Sequence, residues 1–496
     1  MLATQLPALQ IIVPMLSAPL CVLLRSGRAA WLLAALASWA SLGIAAALLA
    51  RVLDVGAISY AVGGWPPPWG IELAIDPLNA FVLLIVTGIA AVVICAAPQS
   101  IAREIPAEKA GLYYSAYLLC LTALLGITLT GDAFNVFVFL EISSLSSYAL
   151  IAMGRDRRAL VASFQYLIMG TIGATFILIS IGLLYMLTGT LNMADLLQRL
   201  PPLADNRVMQ AAFAFFTVGV ALKVALFPLH YWLPNAYAFA PSIATAFLAA
   251  TATKVSLYVL LRFYYGVFGA DFSFAAMPLS EILLPLSLAA ILIASIVAAF
   301  QRDVKRLLAY SSVAQIGYMT LGVALASASG LTAAIVHLFN HALIKSALFL
   351  ALAGVVYRLG STHIEQMAGL GKRMPWTFGA FVLGGLSLIG VPLTAGFVSK
   401  WYLVLAALEK GWWWLALLLG LSSLIAVIYV WRVVEAAWFR EPQADDAGRI
   451  EAREAPLSIL LPTWLLVAAN FYFGIDTTLS VGVASEAAQM LLGGGR

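Results

Sequence analysis

About fourteen apolar runs of roughly 20 residues or more divide this chain, and little else lies between them. They fall near 3–24, 29–50, 77–97, 110–130, 132–153, 162–187, 207–229, 240–265, 279–300, 304–327, 330–357, 375–405, 411–438 and 456–475. Runs of this length predict membrane helices, so the expected fold class is an all-α polytopic membrane protein. A composition of 63% hydrophobic and 10% charged residues, with mean hydropathy +0.99, agrees. The longest connections are Trp65-Pro66-Pro67-Pro68-Trp69, the Pro201-Pro202 loop, and the charged stretch from Arg440 to Arg453. They leave no room for a nucleotide-binding domain and hold no phosphate-cradling glycine loop. The first run has no basic stretch before it and no small-residue cleavage site after it, so it reads as a retained helix.

A net charge of +4 is too small to suggest nucleic acid as a partner. Cys21, Cys95 and Cys120 are far apart in apolar runs, which predicts neither a disulfide framework nor an iron–sulfur cluster, and no cofactor is expected. The loop charges orient the chain. With the amino terminus outside, 17 basic residues fall on the cytoplasmic side and 6 on the other, counting Arg51, Arg199, Arg207, Arg262, Lys410 and Arg496. That asymmetry places both termini on the non-cytoplasmic face of a bacterial inner membrane.

Four of the eight lysines lie inside the runs: Lys223, Lys254, Lys345 and Lys400. Each such charge costs roughly 2.5–3.5 kcal/mol at the bilayer centre, so the set points to an ion or proton route. Lys223 and Lys254 are close enough to their helix ends for snorkelling to remain an alternative, about 10 Å at 1.5 Å per residue. Lys345 has about 13 apolar residues on either side and has no such escape. Glu141 is the one carboxylate deep in a run and needs a cation; Lys223 is the expected partner. His337, His341 and Lys345 recur every four residues and should stack on one helix face. A metal site at the two histidines and a merely hydrogen-bonded core pair are the alternatives to a proton-conducting row.

Spans 7 and 12 are interrupted alike. In VGVALKVALFPLHYWLP, Lys223 precedes Pro228; in LSLIGVPLTAGFVSKW, Pro392 and Gly396 precede Lys400. Proline removes a donor and clashes with the preceding turn, so both spans should break. Paired broken helices carrying buried charges predict two inverted five-helix repeats, spans 4–8 and 9–13. The expected organisation is 1–109 for spans 1–3, 110–267 and 279–438 for the repeats, and 456–496 for the last span and tail.

PLHYWLPNAYAFAP, LLAYSSVAQIGYM, HLFNHALIKSALFLALAG and GVPLTAGFVSKW, in this order, resemble the antiporter-like subunits shared by respiratory complex I and Mrp-type cation/proton antiporters. The resemblance covers essentially the whole chain and implies fourteen helices, with spans 7 and 12 discontinuous. It implies a Glu141–Lys223 pair and a relay through Lys254, His337, His341, Lys345 and Lys400, with no metal. LTGTLNMADL is most like the D-type subunit of Mrp antiporters. Asn235, where the family often has an acid, and the serine-rich SSLSSYAL after Glu141 depart from the pattern. The implied function is proton translocation within a multi-subunit sodium/proton antiporter, with other membrane subunits, protons, sodium and lipid as partners. The alternative is a proton-pumping subunit of a redox-driven complex such as complex I or a membrane-bound hydrogenase.

Overall fold

Every expected run is helical in the computed structural model, which describes residues 4–24, 26–441 and 453–493. Arg25, Arg449 and Arg496, used in the charge count, and the middle of the Arg440–Arg453 connection lie outside the described residues. The chain opens with α1 (Leu6–Leu23) and α2 (Gly27–Val55), then a short antiparallel hairpin, β1 (Ile58–Ala61) and β2 (Glu72–Ile75). Next come α3 (Pro77–Cys95), the short α4 (Ala97–Glu104), α5 (Ala110–Leu129), α6 (Ala133–Ala152) and α7 (Arg158–Thr188). After α8 (Met193–Arg199), the seventh span appears as two pieces, α9 (Arg207–Val224) and α10 (Trp232–Phe239). α11 (Ser242–Gly266), α12 (Leu279–Phe300), α13 (Val304–Ala324) and α14 (Ala328–Leu359) follow. Beyond α15 (Leu370–Arg373), the twelfth span is also split, into α16 (Pro375–Ile389) and α17 (Ala395–Glu409). α18 (Trp413–Phe439), α19 (Leu457–Ile475) and α20 (Thr478–Leu492) complete the chain.

Burial sorts these helices into a centre and a rim. α11, α13 and α14 are enclosed on nearly all sides, and α14 packs against α11, α13, α16, α17, α19 and α20. α2, α7, α18 and α19 instead turn large apolar side chains outward, among them Leu36, Phe164, Leu424 and Leu461. Lipid or neighbouring subunits must cover these faces. α7 and α9 approach closely where Gly219 meets the Gly173 carbonyl. Small residues let helix backbones pack where no hydrophobic force separates protein from lipid.

One hydrogen-bond pattern occurs twice. Asp132 caps α6 by accepting from Asn135 N at 2.8 Å, while Ala133 N donates to Leu191 O and Met193 N to Gly131 O, both at 2.8 Å. Asp303 caps α13 by accepting from Arg306 N at 2.9 Å, while Val304 N donates to Thr362 O and Ile364 N to Arg302 O, both at 2.9 Å. Each position stands 171 residues after its counterpart, as 132 and 303 or 192 and 363 do. α7 and α14 end on left-handed glycines, Gly189 and Gly360, at that same separation.

Two features depart from the sequence reading. α20 is too short to register as a membrane span, yet Ser480, Val483, Ala484, Ala487, Ala488 and Leu491 make a buried helical face against α14 and α3. Lys305 counts as a loop charge in sequence, but it is buried, with Nζ donating to Ala240 O at 3.1 Å. Its helix begins beneath the α10–α11 junction, and the amine satisfies a carbonyl there.

A side chain at Gly219 would lie 2.6 Å from Gly173 O and 2.8 Å from Ile177 Cγ1. Gly219→Val should therefore lower the melting temperature of the detergent-solubilised protein, by the equivalent of about 1–3 kcal/mol. Gly43→Val, which meets nothing within 4 Å, should leave it unchanged.

Candidate functional site

The two helix breaks position the site, and both are built the same way. α9 ends at Ala225 and α16 at Gly390, each left-handed (φ 61° and 90°). Leu226 N reaches back to Ala221 O at 2.9 Å, and Val391 N to Leu386 O at 3.1 Å, closing each last turn. Pro228 and Pro392 follow and prevent continuation. Trp232 Nε1 donates to Leu222 O at 3.0 Å, so the first break leaves that carbonyl satisfied. At the second, Gly396 N donates to Ser387 Oγ at 3.2 Å, and any side chain at Gly396 would run into the Ser387 backbone.

Lys223 sits in the last turn of α9, with its side chain 3% exposed. Its Nζ donates to Glu141 Oε1 at 3.1 Å and to Ser144 Oγ at 2.7 Å, both on α6. The serine-rich departure after Glu141 thus supplies a second ligand to the amine. Glu141 is less deep than its sequence surroundings suggest: 27% of its side chain is exposed on the flank of the molecule. Asn235, the other departure, donates to Gln165 Oε1 at 2.8 Å and joins α10 to α7 without a charge.

Snorkelling does not occur. Lys254 is 1% exposed, and its amine turns back along α11 to Ala249 O, with Thr253 Oγ1 at 3.4 Å. α11 packs on α14, the helix that carries His341 and Lys345. Lys345 is fully buried and donates to Leu308 O at 2.7 Å and to Ser311 Oγ. His337 and His341 stack with centroids 6.0 Å apart and planes within 5°. His337 Nδ1 is 2.7 Å from Ser399 Oγ, and Nε2–H donates to Gln315 Oε1 at 2.9 Å. With both nitrogens of His337 engaged by protein, the two histidines do not converge on an ion. Among the described residues no group of three or more His, Cys, Asp or Glu is placed to hold a metal. Neither nitrogen of the fully buried His341 has a hydrogen-bond partner among the described residues.

Lys400, near the start of α17, reaches across the second break. Its Nζ donates to Leu388 O at 3.1 Å, Ile389 O at 2.8 Å and Ser423 Oγ at 3.1 Å, and lies 4.9 Å from the centre of the Tyr318 ring. The two carbonyls are the free C-terminal acceptors of α16, where a cation is favoured. Lys223 belongs to the half-helix before its break and Lys400 to the half-helix after, so the two lysines are not equivalent positions.

Sequence reasoning missed the face that organises the second half. Ser311, Gln315 and Tyr318, at i, i+4 and i+7 on α13, meet Lys345, His337 and Lys400 in turn. The spacing is visible in LLAYSSVAQIGYM as polar residues on one side of an apolar helix, and that signal could have found it.

A chain of buried amines and imidazoles threading two broken helices defines an antiporter-like subunit of an ion-translocating membrane complex. The chain belongs to the NADH:quinone oxidoreductase/Mrp antiporter transmembrane family, whose model matches residues 130–426. It is 46% identical to the N-type subunit of the NADH-quinone oxidoreductase of Desulforudis audaxviator, over 82% of each chain. It is 30% identical to the D-type subunit of the Na(+)/H(+) antiporter of Alkalihalophilus pseudofirmus, over 86% of this chain and 85% of that one. A chain in the solved Mrp complex from Dietzia superposes with a TM-score of 0.90 at 26% identity, over 99% of this chain and 98% of that one.

Removing either member of the Glu141–Lys223 pair should destabilise the protein by about 3 kcal/mol, the lower end for a buried pair because Glu141 keeps some exposure. The double variant Glu141→Gln/Lys223→Met should cost less than the two single changes together. Thermal melts of the three variants read the coupling, and strict additivity would dissolve the pair.

Proposed function

We propose that this chain is the D-type, proton-translocating subunit of a multi-subunit monovalent cation/proton antiporter, with sodium as the exchanged cation. The observation that carries the reading is the row itself: the buried Lys223, Lys254, His341, Lys345 and His337 with the part-buried Glu141 and Lys400, contributed by α6, α9, α11, α14 and α17. The D-type relative and the Mrp complex superposition support the antiporter assignment. The bond pattern repeated after 171 residues supports two inverted repeats, 110–267 and 279–438, flanked by 1–109 and 456–496. The chain spans a bacterial inner membrane with both termini on the non-cytoplasmic side, a reading that rests on the loop charges and that a carboxy-terminal reporter domain checks.

In this mechanism a proton enters near Lys223 or Lys254, passes along the α14 row and its waters, and leaves near Lys400. Pairing with Glu141 favours the charged form of Lys223, and separating the pair favours proton release. Glu141 faces the flank, so a neighbouring subunit can pull or screen the carboxylate and thereby drive the step. The chain has no energy-coupling site of its own in this reading and works only in its complex. A second reading is favoured by one observation, the 46% identity to an NADH-quinone oxidoreductase subunit. There the same relay serves a redox-driven pump.

The test is reconstitution of the affinity-purified complex with an internal pH dye. Under the antiporter reading a sodium gradient drives proton movement by the complex and not by the single chain. Proton movement driven only by an electron donor and quinone, with iron–sulfur subunits in the preparation, establishes the second reading instead. In the same assay Lys400→Arg should fail about as fully as Lys400→Ala, because arginine keeps its proton at physiological pH. Lys400→His or Lys400→Glu should retain partial exchange. A fully active arginine variant would make Lys400 a fixed charge and remove it from the relay.

A further inference from the structure

A cavity of about 920 Å³ opens between the starts of α2 and α5, α4 and the end of α14. Three arginines stand in its wall: Arg28 in the first turn of α2, Arg103 in α4, and Arg155 between α6 and α7. Among the described residues, no aspartate or glutamate shares that wall. Elsewhere Arg158, Arg199, Arg262 and Arg440 each pair with a carboxylate. Here none of the three has a hydrogen-bond partner among the described residues, and Arg103 merely lies over the Tyr357 ring, 4.6 Å from its centre. The neighbouring acids are engaged elsewhere. Glu104 accepts from Ser100 Oγ at 2.7 Å, Ser242 N at 2.9 Å and Ser242 Oγ at 3.1 Å, and Asp156 pairs with Arg158.

Two further features of the wall suit an anion. Tyr114 is only 2% exposed, and its hydroxyl has no hydrogen-bond partner among the described residues. Ser26 does not cap α2 with its side chain, so the first amides of that helix are open to an acceptor. The cavity also borders apolar surface. Leu24, Leu32 and Leu112, each within about one turn of a wall residue, are exposed. Trp31 in the wall fixes its indole by donating from Nε1 to Ile94 O at 2.9 Å.

Three guanidiniums around one cavity repel one another until an anion joins them, and a phosphate matches their planar forks. We propose that this cavity binds the phosphate of an anionic phospholipid, whose acyl chains run down the apolar flanks of α2 and α5. Inorganic phosphate shares the chemistry, and the exposed leucines beside the arginines are what favour a lipid. The loop charges assign this end of the bundle to the cytoplasm, where basic pockets between membrane helices meet anionic headgroups. The site is independent of which complex the chain serves.

Native mass spectrometry of the full chain in a neutral detergent reads the binding, with phosphatidylglycerol, phosphatidylcholine and inorganic phosphate as separate titrants. Phosphatidylglycerol should bind at least about tenfold more tightly than phosphatidylcholine. Arg28→Gln, Arg103→Gln and Arg155→Gln should each weaken it about fivefold, the factor for about 1 kcal/mol per basic residue. The triple variant should lose the preference. Arg157→Gln/Arg302→Gln/Lys372→Gln removes the same charge from exposed positions outside the wall and should bind as the wild type does. Tyr114→Phe keeps the charge and should weaken binding about threefold, as loss of one hydrogen bond does, which keeps a reading if the arginine variants fail to fold. Equal binding of the two lipids, or an equal loss in the control triple variant, overturns the site. Inorganic phosphate bound as tightly as phosphatidylglycerol overturns the lipid as its source.

Discussion

An ammonium in a hydrocarbon interior has no water to solvate it, so the protein must supply the oxygen atoms. Most of what distinguishes this structure from a plain helical bundle follows from that requirement. Lys345 and Lys254 borrow carbonyls from helical segments, Lys400 takes the open end of α16, and Lys305 takes Ala240 O. Of these buried lysines, Lys223 alone has a carboxylate. Neutral ligands hold an amine without locking its charge, whereas an ion pair ties the protonation of one residue to the position of another.

The breaks in the seventh and twelfth spans answer the same need for polar groups. A continuous helix consumes its own carbonyls, and a broken one exposes those of its last turn in the membrane interior. At the first break a tryptophan closes one of them; at the second, Lys400 takes two. Similar backbone geometry thus performs different work in the two halves, and α13 adds a face of serine, glutamine and tyrosine on which the second half of the row rests.

The arrangement also sets amines held by neutral groups apart from a charge held in an ion pair. The amines and imidazoles on α11 and α14 stand among neutral partners. Arg262, two turns beyond Lys254, is clamped by a carboxylate that is itself part of a helix cap. Similar spacing along one helix therefore produces an amine among neutral groups and an ion-paired guanidinium, the difference lying in the side chain and in what faces it.

Hydropathy and spacing determined a great deal alone. Long apolar runs in lipid have one regular way to satisfy their backbones, so all fourteen expected spans are helices and both proline-marked spans break. Buried charge is so costly that Glu141, Lys223, Lys254, Lys345 and Lys400 announced themselves, and the four-residue spacing put His337 and His341 in a stack. The tertiary structure decided what each of these groups touches. It turned Glu141 to the flank, drew Lys305 inside, and folded the short α20 against α14 and α3. It set Ser311, Gln315 and Tyr318 against three members of the row and joined Asp76 to Arg262 across 186 residues. Periodicity within one helix fixes which residues share a face, but the partner of that face depends on how distant helices pack, and no local pattern records it.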